Sequence, residues 1–464
     1  MAAPEVERLE VSYPELPEAV RRVLAVLSDA GHEAVLVGGC VRDRLLGAPH
    51  DSWDWDAATS AAPEQVEALF PDTTWENRFG TVTVRGTPPV EVTSFRTEGP
   101  YRDARRPSEV RFGAPLVHDL ARRDFTINAI AWVPADLVAE AARGTVVDPF
   151  DGVADLERRL LRTVGEPRER FAEDALRLIR AARFAGRFDM TLDPATEAAI
   201  LELAPTVASV STERVRDELA RILVLDPTPS RALRLLERLG LLRVILPELA
   251  ALRGIPQDKP APGDALDHTL AAVDAAPPIA PLDARLAALL HDIGKATTMA
   301  GGHFIGHEEV GAELAARVLA RLRVPRWRSE RIARVIGLHM YQYEGSWTDA
   351  AVRRFIRRTD GVDRDLLFTL RRADDVASGV AAAGERNQHE LERRIADEIG
   401  RQPALLVDRR LAIDGHDLQR ELGLAPGPRI GRVLAGLMEA VLEDPSRNER
   451  SALLLMARDL ADQR

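Results

Sequence analysis

The sequence predicts an α+β protein, with a sheet near the N-terminus followed by a long helical remainder. Three observations predict it. Residues 34–59, AVLVGGCVRDRLLGAPHDSWDWDAAT, read as strand, glycine turn, helix, loop, strand. Residues 80–85 (GTVTVR) and 90–95 (VEVTSF) read as two more strands, with 86–89 (GTPP) as the turn between them. Beyond about residue 150 the strand signal fades, while apolar residues keep helical spacing.

A length of 464 residues allows about three domains of ordinary size. The composition, 45% hydrophobic and 29% charged, is that of a soluble globular protein. No apolar run approaches the roughly 20 residues of a membrane span. The N-terminus, MAAPEVERLEV, lacks the charged start and apolar core of a signal peptide. The single cysteine, Cys40, excludes an internal disulfide framework and a cysteine zinc cluster, so the expected compartment is the cytoplasm. A net charge of −11 argues against a nonspecific polyanion binder. It leaves RNA open, because local basic faces decide backbone contacts. Lys259 and Lys295 are the only lysines, so nearly all positive charge is arginine, the residue suited to bidentate phosphate contacts.

In chain order, residues 16–30 form an amphipathic helix stopped by Gly31. The short apolar strand 34–37 ends at Gly38-Gly39, where only glycine permits a tight turn and a close approach of backbone to ligand. Residues 41–46 follow as a short helix whose free N–H groups face that turn and can meet an anion. The next strand carries Asp54 and Asp56, which point to one face because strand side chains alternate. Asp51 would face the opposite way from Asp54. Two aligned carboxylates beside a glycine turn can hold Mg²⁺ against a nucleoside triphosphate. Two such ions about 4 Å apart serve in-line phosphoryl transfer. Either feature alone is common; their order and close spacing are not.

Residues 63–69 read as a short helix, and Glu91 lies on the strand 90–95. Residues 96–111 (RTEGPYRDARRPSEVR) are polar and broken by Gly99, Pro100 and Pro107, a long irregular loop of the kind that is often functional. In residues 119–131 (DLARRDFTINAIA), Asp124 could accept from a ribose 2′-hydroxyl. Arg123 could neutralise phosphate, and Asn128 braces the turn. Residues 147–161 read as an Asp-Pro and Asp-Gly turn followed by a helix.

Residues 170–188 (RFAEDALRLIRAARFAGRF) have a helical apolar side, and Asp174, Arg177 and Arg180 recur at i, i+3 as one polar stripe. An aspartate beside an arginine can bond the Watson–Crick edge of a base. Asp174 suits the amino groups of cytosine and adenine; Arg177 suits their ring acceptors. Uracil and guanine present the opposite polarity. A surface ion pair is the plain alternative. Residues 211–223 open with a capping box at Ser211 or Thr212.

Residues 256–262 (PQDKPAP) form a breaker-rich linker. Beyond it come His268, then His291-Asp292 at the end of an apolar helix, then His303, His307, His339 and Asp374. Imidazole and carboxylate together can hold a divalent metal and activate water. Asp375 competes with Asp374 for the last place. Arg353, Arg354, Arg357 and Arg358 form a basic helical strip, either solvated or facing an RNA backbone. Residues 429–442 read as a final amphipathic helix.

These motifs carry a specific resemblance. Gly38, Gly39, Val41, Arg42, Asp43, Leu45, Leu46, Gly47, Asp54, Asp56 and Thr59 fill the pattern GGxVRDxLLG…DxD…T. This is motif A of the polymerase beta-like nucleotidyltransferases. More narrowly, the chain resembles class II CCA-adding tRNA nucleotidyltransferases and the related bacterial poly(A) polymerases. RRDFTxNA, the EDxxR at Glu173, Asp174 and Arg177, and the Glu213-Arg214 pair match further family motifs, over about residues 34–223. His268, HDIGK and Asp374 resemble the HD phosphohydrolase domain that accompanies many bacterial members. The resemblance implies a nucleotidyltransferase head with a small mixed or antiparallel sheet, then a helical neck, an HD domain and a helical tail. The implied segments are 1–150, 151–255, 256–385 and 386–464.

The resemblance also implies roles. Asp54 and Asp56 hold Mg²⁺, with Glu91 assisting in catalysis. Gly38, Gly39, Arg42, Arg123, Asp124, Asn128, Asp174, Arg177 and Arg180 bind the nucleotide, and Asp174 and Arg177 choose the base. Glu213 and Arg214 brace the neck. The loop 96–111 matches a mobile family loop that helps the enzyme move from CTP to ATP. His268, His291, Asp292 and Asp374 hold a second divalent metal, with His307 and His339 as extra ligands. Some such HD domains hydrolyse phosphomonoesters or 2′,3′-cyclic phosphates. The implied activity is addition of C, C and A to tRNA from CTP and ATP. A poly(A) polymerase, or an HD metallohydrolase whose head only binds tRNA, are the alternatives.

Overall fold

The computed structural model describes residues 9–48, 54–75, 80–99, 110–277, 282–406 and 410–462. The chain divides into two compact units, Met1–Ala250 and Ala251–Arg464. The first unit is built on a mixed sheet of eight strands. In chain order the strands are β1 (Glu10–Tyr13), β2 (Ala34–Val37), β3 (Trp55–Thr59), β4 (Thr73–Trp75), β5 (Thr81–Val84), β6 (Val90–Ser94), β7 (Arg96–Glu98), β8 (Val110–Phe112), β9 (Ala131–Asp136) and β10 (Ala142–Val147). The large sheet runs β1-β10-β9-β2-β3-β6-β5-β4, and β7 pairs with β8 in a separate ribbon. Within the large sheet only β3 and β6 are parallel, and its other neighbours are antiparallel; outside it, Leu160–Leu161 pairs in parallel with Thr191–Leu192.

β2, sequence AVLV, is buried along its whole length, as a continuous apolar run in a central strand should be. Helix Glu18–Asp29 buries Val20, Val23, Leu24 and Leu27, its helical apolar stripe, and packs on β2, β3 and β6. Val35, Val37, Ala58, Phe95 and Ala131 form part of one core cluster around these strands. Trp132 on β9 is fully buried and donates from Nε1 to the Val11 carbonyl at 2.9 Å, tying β9 to β1 across the intervening β10.

Several elements differ from the sequence reading. β1, β4, β9 and β10 carry no clear alternation: β9 contains Pro134, and the β9–β10 register shifts between Arg143 and Gly144. The polar stretch 96–111 is ordered at both ends, because Arg96 pairs with Phe112 and Glu98 with Val110. The body of that loop, 100–109, lies outside the described residues, as do Asp51 and Trp53. Residues 170–188 are not one helix. Helix Pro167–Glu173 stops at Asp174, whose backbone is extended (φ −151°, ψ 104°), and helix Leu176–Arg187 begins afresh. Asp174 therefore does not lie on a helical stripe with Arg177 and Arg180. Helix Thr212–Leu225 starts after Ser211, but no side-chain cap bond forms there.

The second unit is helical. Its first half places Ala265–Ala275, Leu282–Leu290, His307–Arg321, Arg326–Ile336 and Arg364–Ala377 in mutual contact. Gly294 permits the tightest approach: a Cβ there would lie 2.1 Å from the His307 carbonyl oxygen. The strip on helix Asp349–Arg358 is only partly a basic face. Arg353 is buried, bonded to Glu398 at 2.8 Å and to the Leu442 and Glu443 carbonyls, and Arg354 pairs with Glu439 and Glu443. Helix Pro428–Glu443 is not the last, since Arg450–Asp462 follows it. Among the described residues no helix is long and apolar enough to cross a membrane.

Candidate active site

The first unit holds a cleft of about 1010 Å³ where the sheet meets helices Leu176–Arg187 and Thr212–Leu225. Its lining includes Gly38, Gly39, Arg42, Asp54, Asp56, Glu91, Arg123, Asp124, Asn128, Asp174, Arg177 and Arg180, so one concavity gathers the residues assigned catalytic and nucleotide-binding roles from the sequence. Although the chain is acidic overall, ten arginines and six carboxylates line this cleft, which suits it to a polyanion.

Parallel pairing sets Asp56 opposite Glu91, while Asp54 lies just ahead of β3, not on it as the sequence predicts, and lines the same cleft. Burial and the nearby Glu91 and Asp54 carboxylates push Asp56 up to about 7, against the opposing pull of Arg123 and Arg42. A carboxylate cluster under such mutual repulsion has the chemistry to hold a cation. The Gly38 turn lies against it. Gly38 has φ +70°, and a Cβ there would sit 2.9 Å from Arg123 Nη1 and 3.8 Å from Asp56 Oδ2. Gly38→Ala is expected to cost about 1–3 kcal/mol of stability from backbone strain alone, since φ +70° with ψ −123° is a conformation left to glycine. The added methyl also has to displace the Arg123 guanidinium, and thermal melts of the variant against the parent chain check the combined cost.

The remaining polar residues hold one another. Arg42 is buried: its guanidinium bonds Asp43 at 2.7 Å and Asn128 Oδ1 at 2.6 Å and lies 4.4 Å from the Phe188 ring centre. Asn128 donates to Asp124 Oδ1 at 3.0 Å, so it braces Asp124 as well as the turn. Asp124 Oδ1 also accepts from the Phe125 N–H at 2.9 Å, and Oδ2 accepts from Arg180 at 2.7 Å. Burial alone would raise Asp124, but Arg180, Asn128 and Arg177 outweigh it and hold the carboxyl well below its usual range. A ribose hydroxyl would have to share Asp124 with Arg180.

Asp174 and Arg177 line the cleft but do not pair. Asp174 is gripped by Arg214 at 3.1 Å (Nη1–Oδ1) and 2.6 Å (Nη2–Oδ2), a two-pronged contact that fixes the carboxylate plane. Arg177 bonds Glu173 Oε2 at 2.5 Å and the Arg122 carbonyl at 3.1 Å. Arg183, Arg187 and Glu218 were not singled out from the sequence. Glu218 is fully buried and takes Arg183 at 2.6 Å, Arg221 at 2.7 Å and Arg180 at 3.6 Å. The signal available was spacing: Arg177, Arg180, Arg183 and Arg187 continue one i, i+3/i+4 series.

The second unit brings His268, His291, Asp292, His307, His339 and Asp374 together. Asp292 Oδ2 lies 3.2 Å from His291 Nε2 and 3.4 Å from His268 Nε2, and its Oδ1 lies 3.4 Å from His307 Nε2. Asp374, not Asp375, completes the set, with Oδ1 at 3.0 Å from His268 Nε2; Asp375 turns to Arg371. His303 is exposed and outside the cluster. The Nδ1 atoms of His291, His307 and His339 bond the carbonyls of Ala288, Phe304 and Ile336 at 2.8, 2.8 and 2.6 Å. That arrangement leaves each Nε2 as the free acceptor, and all three are buried with no hydrogen-bond partner. Burial pushes His339 down to about 3, so its ring is neutral at physiological pH. Burial would raise Asp292, but His291 and Lys295 hold it well below the carboxylate range. Orphaned buried imidazole nitrogens around an ionised carboxylate fit a divalent metal.

A carboxylate cluster on a mixed sheet and a separate imidazole–carboxylate centre together define a nucleotidyltransferase that carries an HD domain. Family models agree: the "Poly A polymerase head domain" matches residues 34–162, the "Probable RNA and SrmB- binding site of polymerase A" 189–252, the "HD domain" 265–397 and a second domain of tRNA nucleotidyltransferases 385–457. The CCA-adding enzyme of Limosilactobacillus reuteri is 46% identical over 46% of this chain and 50% of its own; the match spans about half the length of that relative and of others like it. The CCA-adding enzyme of Lactiplantibacillus plantarum is 32% identical over 96% of this chain and 97% of its own. The A-adding tRNA nucleotidyltransferase of Deinococcus radiodurans is 35% identical over 88% and 91%. The crystal structure of the Bacillus stearothermophilus CCA-adding enzyme in complex with CTP superposes with a TM-score of 0.67 at 30% identity, covering 96% of this chain and 98% of that one. The chain belongs to the family of CCA-adding enzymes and their tRNA nucleotidyltransferase relatives.

Proposed function

We propose that this protein extends the 3′ end of tRNA with C, C and A from CTP and ATP, without a nucleic-acid template. The observation that carries the reading is the register of Asp56 against Glu91 beside the Gly38 turn, within one arginine-rich cleft. Asp54 and Asp56 would hold Mg²⁺, with Glu91 assisting. When bound, Mg²⁺ supplies a lowered pKa at the RNA 3′-hydroxyl and charge neutralisation at the departing pyrophosphate. Gly38 and Gly39 offer backbone to the triphosphate. Arg123, beside Gly38 and Asp56, offers it charge, and Arg42 fixes Asn128 and through it Asp124. Asp124 with Arg180 reads the ribose. Asp174 and Arg177 present an acceptor and a donor to the base edge of cytosine or adenine.

The division into head (1–150), neck (151–255), HD domain (256–385) and tail (386–464) is part of this reading, and the family-model ranges support it. The single cysteine and the substrate class favour the cytoplasm. The HD centre would hold a divalent ion on its histidines, Asp292 and Asp374. Addition of that ion is therefore expected to stabilise the folded chain by about 2.7 kcal/mol at an ion concentration 100 times Kd and so to raise its melting temperature, and a chelator should reverse the shift. Calorimetry with and without chelator checks this.

The D. radiodurans relative supports a second reading, addition of the terminal A alone. One assay separates the readings. The protein is given tRNA lacking its tail, and tRNA ending in CC, with CTP, ATP or both, and the ends are sequenced. Complete CCA on the first substrate supports the proposal. Extension of the CC-ended substrate only would establish A-addition, a long A tract poly(A) polymerisation, and no extension would refute a polymerase.

A further inference from the structure

The second unit holds a cavity of about 960 Å³ that the chemistry described so far does not use. It lies between helix Asp349–Arg358, the stretch 410–415 and helix Pro428–Glu443, and no member of the histidine–aspartate cluster lines it. Its floor is apolar. Trp347 packs against Phe355 with ring centres 5.6 Å apart, and Phe355, Ile413 and Leu442 are buried. Its rim is basic, with Arg354, Arg357, Arg358 and Arg410.

The arginines of helix Asp349–Arg358 show how a surplus of charge arises there. They come as two pairs, one turn apart. The first pair is neutralised, Arg353 by Glu398 and Arg354 by Glu439 and Glu443. The second pair, Arg357 and Arg358, has no carboxylate partner among the described residues, and neither has Arg410. The other acid of the lining, Asp414, caps helix Gly415–Leu422 by accepting from the His416 and Asp417 N–H groups. On helix Pro428–Glu443 the acids at 443 and 439 give way, four residues earlier, to Ala435, which lines the cavity. A small residue there leaves space instead of a third ion pair. Nη1 of Arg357 is withdrawn from water and has no hydrogen-bond partner. A donor left so is costly, the more so on a charged group, and an anion in the cavity would supply its acceptor.

Charge and shape together select the ligand. Planar guanidinium forks match the oxygens of phosphate and of carboxylate. A carboxylate would set one negative charge against three unmatched arginines, whereas a phosphate monoester brings about two. The apolar floor calls for an apolar body on the other end of that ester, because an RNA backbone would lay further charge against Trp347 and Phe355. The volume falls within the roughly 300–1,000 Å³ of small-molecule sites. We propose that this cavity binds a small phosphate ester of an apolar alcohol, with the phosphate on Arg357, Arg358 and Arg410 and the apolar body against Trp347, Phe355 and Met438. The site is independent of nucleotide addition and of any metal in the histidine–aspartate cluster.

The probe is geranyl phosphate, a soluble monoester with an apolar body, titrated calorimetrically into the full chain in chelator. One-to-one binding is expected. Inorganic phosphate and geraniol each carry half of the ligand and should bind about 10- to 100-fold more weakly. Arg357→Gln should weaken the ester by a similar factor, about 10- to 100-fold. Ala435→Trp fills the space from an exposed helix position and should abolish binding. Both variants should melt as the parent chain does and keep its affinity for tRNA. Undiminished binding in Ala435→Trp, or inorganic phosphate held as tightly as the ester, would overturn the site. Binding to vesicles of phosphatidic acid in phosphatidylcholine without binding of the soluble ester would also overturn it, in favour of a membrane-facing patch. Loss of tRNA affinity in Arg357→Gln, with no binding of the ester to the parent chain, would overturn it in favour of an RNA contact.

Discussion

Asp56→Asn is expected to lower CMP incorporation at least about a thousandfold, equivalent to about 4 kcal/mol of transition-state stabilisation. The fold should be unharmed, because asparagine keeps the shape while removing a charge that burial and the Glu91 and Asp54 carboxylates disfavour. Without metal the variant should melt higher than the parent chain. The pH dependence follows from the same cause. A carboxyl pushed up to about 7 binds its proton more tightly in the folded protein than in the unfolded chain. Ionising it therefore penalises the native state. The penalty is absent in acid, grows as pH rises between the unfolded value and about 7, and is full above that. The gap in melting temperature between Asp56→Asn and the parent, in chelator, should widen over that interval and then level off. Single-turnover incorporation and melts across pH check both parts. A variant with near-normal turnover would leave the proposed polymerase without its engine, and a gap that ignores pH would remove the electrostatic account of Asp56.

Asp174→Ala should relax the choice of nucleotide. A two-point base contact is worth about 1–3 kcal/mol of discrimination, or roughly 5- to 150-fold. Misincorporation of UMP and GMP relative to CMP and AMP should rise within that range, with total turnover falling less than in Asp56→Asn. Arg214→Ala is the companion variant. Arg214 holds both Asp174 oxygens, at 3.1 and 2.6 Å, and so orients the carboxylate without itself being required at the base edge. Its loss should move selectivity in the same direction by a smaller factor. Competition assays with all four nucleotides read both. Unchanged rejection of UTP and GTP in Asp174→Ala would count against base choice by this side chain.

The elements that were legible are those whose signal is local. β2, β5 and β6 carry alternating or continuous apolar runs with glycine or proline beside them, β3 carries a short run after the aspartate pair, and the helices 18–29 and 63–69 carry helical stripes with clear stops. β9 and β10 were not legible because proline and a register shift interrupt their pattern, and the sheet rather than their own sequence keeps them extended. The break at Asp174 was hidden for a related reason. The segment has good helical spacing, and its interruption coincides with the pull of Arg214, 40 residues away in sequence.

What the sequence determined by itself is chemistry and facing. Close spacing in one extended stretch brings Asp54 and Asp56 to one cleft, glycine permits the bend at 38, and an apolar helix delivers His291 and Asp292 together at its end. What only the tertiary structure decided is who meets whom. Asp174 rests on Arg214 rather than Arg177, and Lys259 reaches Asp374 across 115 residues. The physical reason is that side-chain direction follows from backbone geometry within a few residues. The partner of a buried charge is chosen by which distant segments the folded core brings within hydrogen-bonding distance.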